Sequence, residues 1–306
     1  MKEFYELAAL LPGRIKDTLC SIDEKFADTV SEIRLRTGKP PELRSFGRAF
    51  FPNENGELLT SDKTLSAFAK NDIARCVAKL CEYSLFLRDD TITDGYFTVR
   101  GGHRVGVCGT YYKGERKSIT DISSMNIRIA REHINCSDRL FEMLRGDCFS
   151  SLLFVGPPGS GKTTLLRDCI RRISGAPNYY KTSVIDERGE LAAVYEGAPS
   201  FDLGTSFDVL DKYPRKKGFM IAVRSMSPRF IVCDEIGDRH DAKSLQLAAK
   251  SGVKVIASAH SDSIENLLEN DFLRSLTENG VFDYIALLSD ESAPGHIEKI
   301  INLRRN

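Results

Sequence analysis

The stretch that most constrains this chain is Gly156–Thr164, GPPGSGKTT. It fits the pattern G-x-x-x-x-G-K-[ST], with Gly156, Gly161, Lys162 and Thr163 at the required spacing. Ser151–Val155 before it reads as a short buried strand. Thr164–Ile173 after it reads as a helix with Leu165, Leu166, Cys169 and Ile173 on one side. Strand, glycine-rich turn and helix start form an arrangement that binds phosphate. The first N–H groups of a helix lack intrahelical partners, and the helix dipole favours an anion there. Pro157 and Pro158 have no N–H, so the donors are expected from Gly159, Ser160, Gly161, Lys162 and Thr163, with Thr164 completing the nucleotide-contacting run. Lys162 is expected to reach the β- and γ-phosphates of ATP, and the Thr163 hydroxyl to bind Mg²⁺. The lysine head is expected to face solvent when no nucleotide is bound.

A chain of 306 residues has room for two domains and a sizeable core. Lysine plus arginine and aspartate plus glutamate both number 43, so bulk charge points to neither nucleic acid nor an anionic membrane. No apolar run approaches membrane-spanning length, and the N-terminal segment is too interrupted for a signal peptide. The eight cysteines contain no C-x-x-C pair and sit mostly in apolar patterns. They read as reduced core residues of a cytosolic protein rather than as a zinc site.

Residues 1–146 read as a small α+β domain. Glu3–Leu11 and Ile15–Phe26 have helical spacing, Glu32–Arg36 alternates as a strand, and Leu43–Phe51 is a second strand. Asn71 or Asp72 is expected to cap a helix running to about Ser84. Tyr96–Arg100 and Arg104–Tyr111 read as a hairpin about Gly101-Gly102, followed by a strand at Met125–Ala130 and a helix at Ser137–Leu144. The turn signal Arg145-Gly146-Asp147 marks the expected boundary.

Residues 147–306 alternate strands and helices, which predicts a largely parallel sheet with helices on both faces. The strands are expected at Thr182–Ile185, Phe230–Cys233, Val253–Ala257, Tyr284–Ser289 and His296–Leu303, and helices at Asp241–Ala249 and Ser263–Asn270. Ligands of such sheets sit at the carboxyl ends of the strands. Asp234, after four apolar residues, suits a water-bridged Mg²⁺ contact as in a Walker B motif. Glu235 is the better candidate to activate the attacking water. Glu187 beside Asp186 suits either a supporting role at that water or a structural salt bridge, and His260 or Ser258 suits a sensor of the γ-phosphate.

Other P-loop classes fit less well. Asp186-Glu187-Arg188-Gly189 matches D-x-x-G, but no guanine-reading N-K-x-D follows, and an L-S-G-G-Q signature and an arginine-rich lid are also missing. A RecA-like or AAA-like ATPase remains. Such motors hydrolyse ATP between subunits, with a neighbour's arginine stabilising the developing charge. Arg128 and Arg131, with Arg100 and Arg104, are donor candidates in the first domain, and Arg224 in the second. The alternative is a RecA-like ATPase on single-stranded nucleic acid, with Arg34, Arg36 and the cluster Lys212, Arg215, Lys216 and Lys217 on phosphates.

The strings EIRLRTGKPPEL (32–43), TDGYFTVRGGHRVGVCGTY (93–111), SMNIRIARE (124–132), GPPGSGKTTLLRD (156–168), SVIDERGEL (183–191), FDVLDKYP (207–214), RSMSPRFIVCDEIGD (224–238) and ASAH (257–260) resemble, in that order, the stage III sporulation protein AA family of endospore-forming bacteria. That family is similar to the hexameric ATPases of type II and type IV secretion and pilus assembly. The resemblance implies an Asp box at Asp186 and Glu187, a Walker B at Asp234 and Glu235, and a His box at His260. Secretion ATPases often carry glycine where this chain has Asp234, so here the two acids can divide metal binding from water activation. The resemblance further implies a homo-oligomeric, hexameric ATPase using ATP and Mg²⁺. It implies a cytoplasmic motor, peripheral at the inner membrane on the mother-cell side, that drives membrane-embedded channel components. The first domain would then serve oligomerisation and partner binding.

Overall fold

Period-two alternation builds an antiparallel sheet in the first half of the chain and gives way in the second to short central strands buried along their whole length. The computed structural model describes residues 2–63, 65–67, 69–81, 95–113, 117–237, 239–290 and 293–304. It divides into two compact units, Met1–Arg131 and Glu132–Asn306.

In the first unit the strands are β1 (Val30–Arg36), β2 (Glu42–Ser45), β3 (Arg48–Pro52), β4 (Leu58–Leu59), β5 (Tyr96–Thr98), β6 (Arg104–Lys113) and β7 (Lys117–Arg128). Their order is β4-β3-β2-β1-β7-β6-β5, antiparallel throughout. Ile33 and Leu35 of β1 stand opposite Ile127 and Met125 of β7, which in turn face Val105 and Val107 of β6. This face is buried with Phe4, Leu7, Ile15, Leu19, Ile73 and Val77 from helices Lys2–Leu10, Gly13–Cys20 and Lys70–Leu80.

Two expectations need correction here. The helix expected over Ile15–Phe26 is split into Gly13–Cys20 and Glu24–Ala27, because the Asp23 carboxylate accepts the N–H groups of Lys25 and Phe26 and starts a new helix. The single strand expected over Leu43–Phe51 is the β2–β3 hairpin, reversing at Phe46 and Gly47 with φ of 47° and 75°. The expected helix end at Ser84 lies outside the described residues. Cysteines were expected mostly in the core; Cys76, Cys81, Cys169 and Cys233 are buried, whereas Cys20 and Cys108 are exposed.

The second unit carries β8 (Leu152–Gly156), β9 (Thr182–Asp186), β10 (Phe207–Asp211), β11 (Phe230–Cys233), β12 (Lys254–His260), β13 (Tyr284–Leu288) and β14 (Ile297–Asn302) in the order β10-β9-β11-β12-β8-β13-β14. All neighbours are parallel except β13 and β14. Every residue of β8, β9 and β11 is buried, as expected of central strands covered on both faces. The α/β alternation read from the sequence is therefore present. Edge strand β10 was not anticipated: only Leu210 in it is buried, so no apolar run announces it. The helix Asp271–Glu278 was also missed. Asn270 caps it by accepting from Phe272 and Leu273.

The division between the units falls at Arg131/Glu132 rather than at Gly146. Residues 132–146 are tied to the helix Lys162–Ser174 of the second unit. The Asp168 carboxylate accepts the N–H groups of Asn135 (3.0 Å) and Ser137 (2.8 Å) and the Ser137 hydroxyl (2.6 Å), and pairs with Arg171 (2.7 Å). Arg172 pairs with Asp138. A turn signal at 145–147 reports a local reversal, but cannot report these long-range bonds.

Burial alone would raise the Asp168 pKa; the Ser137 hydroxyl and N–H, Arg171 and the Asn135 N–H outweigh it and hold the carboxyl below the usual range. Asp168→Asn should therefore destabilise the second unit by about 2–4 kcal/mol at pH 7 in urea unfolding. Because the folded pKa is depressed, the wild-type advantage is present above the ordinary aspartate range and is lost as pH falls through the folded value. The gap between the two proteins should narrow in acid; a gap constant with pH would refute the assignment.

Candidate functional site

The glycines of the P-loop answer to close packing. A Cβ on Gly156 would stand 2.7 Å from the Ser160 hydroxyl. Gly161 has φ of +89°, and a Cβ there would stand 2.5 Å from the Gly295 nitrogen. Gly295 itself donates its N–H to the Ser160 carbonyl (2.8 Å), so the β13–β14 connection braces the loop. The helix begins at Lys162, directly after the left-handed Gly161.

Lys162 departs from expectation. Its side chain is not solvent-facing but 6% exposed. The ammonium donates to the carbonyls of Gly156 (2.8 Å) and Pro157 (2.7 Å) and lies 3.3 Å from His260 Nδ1. The loop carbonyls take the positive charge inward, because a buried ammonium needs partners. Burial pulls its pKa below the ordinary lysine value, against the opposing pull of the Asp234 and Glu235 carboxylates.

Thr163 donates its hydroxyl to Asp234 Oδ2 (2.8 Å). The other carboxylate oxygen of Asp234 accepts from the Ser258 hydroxyl, and that hydroxyl accepts the Glu235 N–H at 2.9 Å. Ser258 is fully buried and occupied in both directions, so it links β11 to β12 and is not the phosphate sensor considered from the sequence. A hydroxyl and a carboxylate side by side are hard oxygen donors of the kind Mg²⁺ takes alongside phosphate oxygens. Among the described residues no three or more His, Cys, Asp or Glu side chains group closely enough to hold a metal ion by themselves.

Past Cys233 the backbone leaves strand geometry. Glu235 has φ of 45°, in the left-handed region that a non-glycine residue rarely adopts. The turn carries its side chain to His260, whose Nε2 lies 3.2 Å from Glu235 Oε1, while Glu235 Oε2 pairs with Arg188. Lys162, His260, Glu235 and Arg188 thus form a continuous chain of contacts. Arg188 was given no role in the sequence reading. The available signal was its place just beyond the acids that end β9.

Other candidates are brought elsewhere. Glu187 accepts the Arg215 N–H (3.0 Å) and pairs with its guanidinium (2.9 Å), which is the structural alternative considered for it. The buried Asp186 accepts the N–H groups of Glu190 (2.8 Å) and Ala192 (2.7 Å). Arg131 donates to the carbonyls of Ala27 (2.9 Å) and Val30 (2.8 Å), Arg128 pairs with Glu32, and Arg104 lies over the Tyr96 ring. Arg224 is exposed on a π-turn, Ala222–Met226. Arg34 pairs with Glu32 and Arg36 with Glu42. No helix among the described residues is long and apolar enough to cross a membrane.

The chain is 36% identical over 300 residues to stage III sporulation protein AA of Bacillus subtilis (strain 168), covering 96% of this chain and 94% of that protein. In fold it is similar to the Yersinia pseudotuberculosis ATPase DotB, with a TM-score of 0.57, 16% identity and coverage of 86% of this chain and 72% of that one. It is also similar to the pilus retraction motor PilT solved with bound ADP, with a TM-score of 0.53, 18% identity and coverage of 86% and 76%. At these identities the likeness shows the fold alone, an α/β fold shared with that ATPase and that pilus motor. The family model described as "Sporulation stage III, protein AA" matches residues 1–306, and the chain belongs to that family.

Proposed function

We propose that this protein is a Mg²⁺-dependent ATPase with a RecA-like core. The observation that carries the reading is the contact of the Thr163 hydroxyl with the Asp234 carboxylate, with Glu235 turned out beside it. The backbone N–H groups of Gly159–Thr163 hold the phosphates. Lys162 exchanges the Gly156 and Pro157 carbonyls for the β- and γ-phosphate oxygens. Thr163 and Asp234 would hold Mg²⁺, which when bound offsets charge on those oxygens. Glu235 takes a proton from water as the water oxygen bonds to the γ-phosphorus and the bond to the ADP oxygen breaks. His260 lies between Lys162 and Glu235 and is suited to couple phosphate occupancy to the base.

Membership of a sporulation family and the resemblance to secretion and pilus ATPases set out from the sequence support a homo-oligomer, hexameric on that resemblance, that drives a secretion-like membrane complex during endospore formation. We place it in the cytoplasm, peripheral at the inner membrane on the mother-cell side, with the first unit serving subunit and partner contacts. Arg128, two-thirds exposed, suits a contact in trans better than Arg131, which is occupied by backbone carbonyls of its own unit. Glu187 is proposed to anchor its loop rather than to touch water.

Glu235→Gln should bind ATP and Mg²⁺ normally, hydrolyse at least a hundredfold more slowly and accumulate as an ATP-locked oligomer in size-exclusion chromatography. Asp234→Asn should instead weaken Mg²⁺-dependent binding. The reverse pair of phenotypes would exchange the two roles.

Lys162→Ala should lower affinity for a fluorescent ATP analogue by about tenfold or more, from the loss of a charge-assisted contact of about 1.5–3 kcal/mol. Wild-type turnover in this variant would remove the P-loop from the reading. Mixing Glu235→Gln chains with Arg128→Ala chains should restore part of the ATPase rate if Arg128 acts on a neighbour's site. No restoration would assign Arg128 to its own unit.

A further inference from the structure

Glu235 stands half-buried on the turn beyond the end of β11, and a glutamate has several rotamers open to it. The chain holds it nonetheless at three points. Its N–H is bound by the buried Ser258 hydroxyl, Oε1 lies 3.2 Å from His260 Nε2, and Oε2 pairs with Arg188. The two carboxylate oxygens thus meet different partners from different strands: His260 ends β12, and Arg188 follows β9.

The loop that presents Arg188 is itself tied down on both sides. Before it, the buried Asp186 carboxylate gathers the N–H groups of Glu190 and Ala192, closing the loop into a tight arch about Gly189, where φ is +66°. The Asp186 carbonyl accepts from Lys212 (2.8 Å), at the end of edge strand β10. Glu187 grips both the N–H and the guanidinium of Arg215 at the start of the next helix. Arg188 therefore leaves a fixed platform. It is 53% exposed and fills no core volume, so replacing it leaves the packing of the unit intact.

We propose that Arg188 is a positioning residue for Glu235: acting within one chain, it fixes the orientation of the base that activates water. The inference rests on the reading of Glu235 as that base. It also gives the second pair of strand-end acids a task, since Asp186 and Glu187 shape the loop that delivers Arg188. Misplacing a reacting group by about 1 Å costs on the order of a hundredfold in rate, so a base released from one of its two side-chain partners should act more slowly without losing substrate.

The test uses the full-length oligomer and ATP turnover. Arg188→Ala should lower kcat about tenfold or more while KM and affinity for a fluorescent ATP analogue change less than twofold. Arg188→Lys, which keeps the charge but loses the planar fork, should recover part of the rate. The double variant Arg188→Ala/Glu235→Gln should be no slower than Glu235→Gln alone, because the arginine then has no base to place. The thermal midpoint of Arg188→Ala should stay at the wild-type value. An unchanged or raised kcat, a loss that multiplies with Glu235→Gln, or an equal loss of nucleotide affinity would each overturn the inference while the ATPase reading stands. A wild-type protein that hydrolyses no ATP would overturn both.

Discussion

The second unit depends on the contact of Asp234 with Thr163 and Ser258. One carboxylate oxygen meets the first turn of the P-loop helix, and the other meets the hydroxyl of a buried serine on β12. Three elements are set by one side chain: the end of β11, the start of the helix and the carboxyl end of β12. The same serine hydroxyl accepts the Glu235 N–H, and so holds the left-handed turn that directs Glu235 to His260 and Arg188. A fully satisfied polar cluster in a low-dielectric surrounding resists distortion, which on the proposed reading suits a site that places phosphate, metal and water.

Charge is distributed with the same economy. Lys162 turns onto the carbonyls of its own loop, and His260 and Glu235 continue the contacts outward to Arg188. Each cation has an acceptor and each carboxylate a donor. On the proposed reading, nucleotide exchanges partners at a pre-formed site instead of assembling one from unpaired groups. The cost of desolvating a lone lysine or glutamate is thereby avoided.

Much of the fold was legible. The P-loop, the buried strands β8, β9, β11 and β12 and their parallel arrangement follow from short runs with an apolar centre that end in polar residues and alternate with helices. The adjacency of Thr163 and Asp234 was legible too, because strands of one parallel sheet deliver their ends to one edge. Other features were hidden where the signal was long-range or local patterns misled. Edge strand β10 has a single buried residue, and the β2–β3 hairpin reverses at Phe46 with no strong turn pair. The unit boundary is set by Asp168 reaching back to Asn135 and Ser137 across a whole strand and turn.

The P-loop pattern was readable from the chain alone, because its glycines, lysine and hydroxyl stand at short fixed spacing within one turn. The sequence also determined which strand ends carry acids, since apolar runs and their terminating residues are contiguous in the chain. The partner that each of those acids meets is visible in the fold alone. Asp186, Glu187, Asp234 and Glu235 look alike as two acidic pairs at two strand ends. Asp186 is consumed by backbone N–H groups and Glu187 by Arg215, while Asp234 meets Thr163 and Glu235 meets His260 and Arg188. The difference lies in partners from other strands and helices, and spacing along a chain cannot encode which of them a side chain will reach.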